Sequence, residues 1–161
     1  MPFLHSSAPP RRRRDAGFNL IEIVIVTVII GLLAVLALPA IQKTRQASQN
    51  NRFVSDLRVF AQAFESYSVV NGGWPPNAGS GVVPAGMAGD FRASAWTGVN
   101  SIGGRWNWDF NNSGVTAAIA TTGVTTTDAQ MLLIDKRIDD GDLTTGLFQK
   151  VGTRFIYILE N

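Results

Sequence analysis

The sequence predicts an α+β protein in which one long N-terminal helix, half apolar and half amphipathic, packs on a small antiparallel β-sheet. Three observations lead there. From Ile23 to Gln42 there is no charged side chain, and nearly every residue is Ile, Val, Leu or Ala. From Phe53 to Tyr67 the apolar residues Phe53, Leu57, Phe60, Ala61, Phe64 and Tyr67 recur at spacings of three and four, the period of a helix with one buried face. From Gly103 onward the period changes to two, as in strands that turn alternate side chains inward.

The elements follow in order. Residues 1–17 (MPFLHSSAPPRRRRDAG) are a short basic leader, rich in proline and unable to bury a core; the expectation is that they are disordered or removed. Residues 18–41 form the membrane segment. Twenty uncharged residues at about 1.5 Å each cover roughly 30 Å, the thickness of a bilayer's hydrocarbon core. One carboxylate, Glu22, stands at its start, with Arg11 to Arg14 ahead of it. Residues 42–73 continue the helix. Gln42 to Asn51 is polar all round and is expected to be exposed, and Asn71-Gly72-Gly73 before Trp74-Pro75-Pro76 ends the helix.

Residues 74–161 make the head. Pro75 to Gly104 reads as a long loop anchored by Met87, Phe91 and Trp96. Trp106, Trp108 and Phe110 alternate with Asn107 and Asp109, and Asn111 to Gly114 supplies a turn into a second strand, Val115 to Thr121. Thr127-Asp128 caps a short helix through Ile138, and Arg154 to Glu160 is a closing strand. The predicted order is long helix, loop, two strands, short helix, one strand.

Composition excludes several functions. Cysteine is absent, which removes disulfides, thiolate metal sites and a Cys nucleophile. His5, in the leader, is the one histidine, so the rest of the chain has no His for a catalytic triad or a zinc site. The formal charge is +2, but residues 1–17 hold four Arg and one Asp, and without them the remainder carries −1. The basic character therefore belongs to the leader, and no nucleic-acid partner is expected. The Gly-rich stretch 79–89 lacks a Lys-Ser/Thr ending, which argues against phosphate binding. Trp106 and Trp108 beside Arg105 could stack bases or sugars, but Trp at period two is better read as cross-strand packing.

The stretch GFNLIEIVIVTVIIGLLAVLALP, beginning at Gly17, resembles the N-terminal signature of type IV pilins and of the pseudopilins of type II secretion systems. The resemblance rests on the basic leader ending in Gly17, on Phe18 and Leu20-Ile21-Glu22, and on Gly31 and Pro39 further on. Asn19 departs from it, standing where Thr is commoner. The resemblance implies cleavage between Gly17 and Phe18 by a prepilin peptidase and N-methylation of Phe18. It also implies a pilin-like lollipop fold, an inner-membrane assembly platform, and filament partners that are copies of the chain and other pilins. The N-terminus would be cytoplasmic and the head outside, in a single-pass inner-membrane protein that later enters a periplasmic or extracellular filament.

Glu22 carries the mechanism. A carboxylate within hydrocarbon costs on the order of 3 kcal/mol unless something pairs with it. By spacing alone it is either a helix-terminal charge at headgroup level, favoured by the macrodipole, or a group awaiting a cation. The resemblance implies the second: Glu22 attracts the N-terminal amine of a neighbouring subunit and sets register. Pro39 removes one backbone bond and is expected to kink the helix, and Gly31 to weaken it.

The acidic run Asp135, Asp139, Asp140 and Asp142 is the candidate metal site, with oxygen ligands suited to Ca²⁺. Major pseudopilins, which the chain resembles, have calcium in a C-terminal loop. The run lacks EF-hand spacing, and a solvated Asp-Gly turn after a helix, with Lys136 and Arg137 offsetting its charge, is the simpler reading. The function expected is a structural filament subunit, without enzymatic activity. The alternative is a membrane-anchored minor or tip pilin whose 75–104 loop binds DNA, a surface or an exported substrate.

Overall fold

The computed structural model describes residues 19–161, so His5, Arg11 to Arg14, Gly17 and Phe18 lie outside the described residues. The chain divides into two compact units, Met1–Ile41 and Gln42–Asn161. The described part of the first is helical from Leu20 onward. Helix α1 (Leu20–Asn71) begins there and continues through Pro39 into the second unit.

The start of α1 is set by Asn19. Its carbonyl accepts the Glu22 N–H at 2.9 Å, and its side-chain oxygen faces the Ile21 N–H at 3.4 Å. Asn is among the best residues for this position, which gives the departure from Thr a physical basis. Thr27 returns its hydroxyl to the Val24 carbonyl at 2.9 Å, so the one hydroxyl in the apolar run carries its own partner. At the far end Gly72 takes a φ of +70° and the Trp74-Pro75-Pro76 segment cannot extend the helix.

The second unit is a helix laid on a sheet. Besides the later half of α1 it contains α2 (Ala93–Thr97), β1 (Arg105–Asn112), β2 (Val115–Thr122), α3 (Asp128–Ile138), β3 (Phe148–Val151) and β4 (Arg154–Glu160). The four strands are antiparallel in the order β1-β2-β4-β3. β1 and β2 are joined by Ser113-Gly114, both with positive φ (60° and 83°), the two-residue turn whose twist suits a hairpin.

Phe53, Leu57, Phe60, Ala61 and Phe64 are buried as the spacing predicts, and Val54 joins them. The contact with the sheet is aromatic. Phe53 stacks on Trp106 with ring centroids 4.7 Å apart, Phe64 stacks on Trp108 at 3.9 Å, and Phe60 meets Trp96, Phe91 and Trp106 edge-on. Such pairs add to the burial of the rings themselves. The tryptophans expected to pack are therefore packed.

Several details differ from the sequence reading. A fourth strand, β3, precedes the closing one and pairs with it. The 75–104 segment contains the short helix α2, and its anchors Met87, Phe91 and Trp96 are all core residues. Asn107 and Asp109 do face away from the tryptophans, yet both are buried. Asp109 accepts from Asn107, Asn112 and Ser113 and pairs with Arg154, so its charge is fully partnered. Asn50, expected to be exposed with its neighbours, is buried because Gln130 of α3 donates to it at 2.8 Å.

Candidate functional site

Two places hold the residues singled out by the sequence. The first is the apolar half of α1. It is long and apolar enough to cross a membrane, and none of its most apolar window is buried within the chain. Ile21 to Leu38 presents large apolar side chains that are all about half exposed or more; a helix that is apolar all round needs lipid or other protein around it. Glu22 lies in its first turn, exposed, and has no ion-pair partner among the described residues. Pro39 sits inside the helix, so the Val35 carbonyl receives no N–H from it. A Cβ added at Gly31 would meet nothing within 4 Å, so packing within the chain does not require the glycine.

The second place is the end of α3 and the loop after it. Thr127 caps α3 by accepting the Gln130 N–H at 3.3 Å, and the buried face of the helix carries Met131, Ile134 and Asp135. Asp139 closes the helix with its N–H on the Asp135 carbonyl at 2.7 Å. The chain then folds back so that one oxygen each of Asp135, Asp139 and Asp140 lies within 4.8 Å of the others. Oxygens around a calcium ion at about 2.4 Å have such separations. Asp142 is not among them: it accepts from the Thr144 amide at 3.0 Å and hydroxyl at 2.7 Å, and these bonds hold its pKa below the ordinary value.

Asp135 is the unusual member. It is fully buried, and neither carboxylate oxygen accepts a hydrogen bond of normal geometry. Burial first, and then the charges of Asp140 and Asp139, push its pKa up to about 6, with the Gly141 N–H as a partial offset. Its neighbours are held by the loop. Asp140 accepts from the Asp142 N–H at 2.8 Å and the Thr145 hydroxyl at 2.7 Å, and Asp139 accepts from the Leu147 N–H. Gly146 has a positive φ of 74°, and a Cβ there would collide with the Asp139 carboxylate. The donor set therefore fits a hard divalent cation: three converging carboxylates, one of them buried without a partner. The acidic spacing pointed to this loop; the contributions of Thr144, Thr145 and Gly146 carry no sequence signal of their own.

No family model matches the chain, and no solved structure matches it. Among curated proteins, the chain is similar to type II secretion system core protein G. It is 32% identical to the protein from Aeromonas hydrophila over 65 residues, which are 40% of this chain and 46% of that one. It is 35% identical to that of Klebsiella pneumoniae over 63 residues, 39% of this chain and 45% of that one. For Escherichia coli (strain K12) the figures are 34% over 62 residues, 38% and 43%. The chain thus spans a little under half the length of the curated relatives it matches. An exposed apolar helix running into an amphipathic one, an antiparallel sheet beneath the latter, and this similarity support the resemblance to pilins and pseudopilins that Gly17 to Pro39 carries.

Proposed function

We propose that the protein is a structural subunit of a pseudopilus-like filament of a type II secretion system, and not an enzyme. The observation that carries this reading is the apolar half of α1, exposed along its length, with Glu22 in its first turn and no ion-pair partner for it among the described residues, in a chain similar to core protein G. In the membrane, lipid covers that surface. In a filament, the same half of other copies covers it, and a positive group supplied by a neighbour neutralises Glu22.

In this reading prepilin peptidase cuts between Gly17 and Phe18 on the cytoplasmic side, and Phe18 is N-methylated. The freed amine, of a kind that ordinarily titrates near pH ~8, is mostly cationic at neutral pH and is the partner Glu22 attracts. Arg11 to Arg14 keep the leader inside, the head stays outside, and the assembly platform draws subunits from the membrane. Asp135, Asp139 and Asp140 hold a calcium ion, which neutralises their mutual repulsion and ties the loop to α3. The tip-pilin alternative gains no support, because Met87, Phe91 and Trp96 of the 75–104 segment are committed to the core.

Intact mass of the membrane-extracted protein, from cells with and without prepilin peptidase, tests the pathway. Loss of residues 1–17 and gain of one methyl group are expected only where the peptidase is present. An uncut chain in both would make α1 a plain signal anchor.

A further inference from the structure

The sequence holds one Asn-x-Ser/Thr triplet, Asn111-Asn112-Ser113, with no proline at its centre. Such a triplet is an acceptor for N-linked sugar when it stands on a surface turn of a translocated chain. Here it falls at the β1–β2 hairpin. The ladder pairs Phe110 with Ala117 and Asn112 with Val115, and Asn111 between them is exposed with a φ of +49°. Both other members of the triplet are tied down. Asn112 donates to Asp109 at 3.1 Å and accepts the Ser113 N–H at 2.9 Å. The Ser113 hydroxyl donates to Asp109 at 3.0 Å and accepts from Arg154. The Asn111 side chain makes no hydrogen bond among the described residues. A left-handed backbone accounts for an Asn at this position, but not for an exposed amide left free where both neighbours are bonded. Beside it lies an open hollow of about 290 Å³, lined by Asn111, Gly114, Val115, Thr116 and Asn161, with no Lys, Arg, Asp or Glu. It offers a neutral, polar bed to a sugar.

We infer that Asn111 is an N-glycosylation site, modified during export. The inference rests on the topology proposed above, with the head on the translocated side. The co-substrate is an oligosaccharide carried on a polyisoprenyl diphosphate, and a membrane oligosaccharyltransferase brings the two together. The Asn111 Nδ2 attacks the anomeric carbon of the first sugar. A carbon–nitrogen bond forms as the bond from that carbon to the diphosphate oxygen breaks, the diphosphate keeps the electron pair, and one amide proton passes to a base on the transferase. The fold sets the timing. The triplet is recognised by its hydroxyl as well as its amide, and in the folded head the Ser113 hydroxyl is held between Asp109 and Arg154. Arg154 lies on β4, 41 residues after Ser113, so the triplet is open only until β4 has joined the sheet. Transfer therefore precedes folding of the head, and the sugar then stands at the hairpin tip as a bulky, solubilising group.

Tandem mass spectrometry of the full chain, extracted from the membranes of its own cells, tests the site. The peptide holding Asn111 is expected to carry added mass in whole sugar residues on Nδ2. Asn111→Gln and Ser113→Ala are each expected to lose that mass completely, and Ser113→Thr, which keeps the hydroxyl, to retain it. Because transfer precedes folding, these outcomes do not depend on the stability of the hairpin. Protease added to spheroplasts reports separately on which side the head lies. An unmodified Asn111 in a chain whose head is digested overturns the site and leaves the proposed topology standing. An unmodified Asn111 in a chain whose head is protected overturns both. Sugar retained in Asn111→Gln, or found on a serine or threonine in place of Asn111, also overturns the site.

Discussion

Among the described residues, Glu22 and Asp135 are both carboxylates without an ion-pair partner, in opposite surroundings. Glu22 is exposed at the start of an apolar run whose one polar side chain before Gln42 is Thr27, so its cost appears only when lipid or protein closes around it. Glu22→Gln keeps the shape and removes the charge. Filament yield in cells is expected to fall at least tenfold, while the chain remains inserted in the membrane; normal filaments from this variant would sink the register mechanism. Asp135 bears its cost inside the folded head. Its pKa is raised from 3.8 to about 6, so its contribution favours the metal-free fold fully below about pH 4 and is lost as pH rises through 6. At pH 7 the ionised group costs on the order of 3 kcal/mol at most. Calcium is therefore expected to raise the melting temperature at pH 7 and far less at pH 5. Asp135→Asn should stabilise the calcium-free protein at pH 7 and lose the calcium response. Melting curves with calcium or a chelator decide it, and a wild type indifferent to calcium at pH 7 removes the metal site.

The elements with a strong period were legible because their partners are close in sequence or uniform in chemistry. The stripe from Phe53 to Phe64, the Trp106–Trp108 alternation and the Thr127 cap each declare themselves within a dozen residues. β3 did not, because it has four residues of which only Phe148 is buried, too few to establish a period against the acidic turn before it. Asn50 and Asp109 were missed for another reason. Their burial depends on Gln130 and Arg154, 80 and 45 residues away, and no local pattern reports such a pairing. Likewise the acidic run located the loop, but the convergence of three of its carboxylates depends on the fold-back at Gly146 and Leu147. The join between helix and sheet can be tested directly. Phe64 is 0% exposed and stacked on Trp108, so Phe64→Ala is expected to cost about 3–5 kcal/mol. Val59, 51% exposed on the same helix, should lose no more than about 0.5 kcal/mol on replacement by Ala. Denaturant unfolding of both in detergent gives the comparison, and equal losses would mean that the aromatic stack does not hold the helix to the sheet.

The two units differ in what they need from their surroundings. Gln42–Asn161 is a compact unit by itself, and its core runs from Phe53 on α1 through the tryptophans to Phe148 and Phe155 without using any residue before Gln42. A chain of this size can bury enough apolar surface to fold alone. The apolar half of α1 contributes nothing to that core and exposes large aliphatic side chains instead. If the molecule is a folded head carrying an assembly helix, the two properties should separate at that boundary. A fragment beginning at Gln42 is expected to be soluble without detergent, monomeric by sedimentation, and to unfold in a single cooperative transition. The full chain should require detergent and should melt at nearly the same temperature, because its extra helix supports no part of the head. A fragment that aggregates or lacks a cooperative transition would mean that the apolar half stabilises the head after all. The exposed surface of α1 would then have a role within the subunit, and a filament would no longer be needed to account for it.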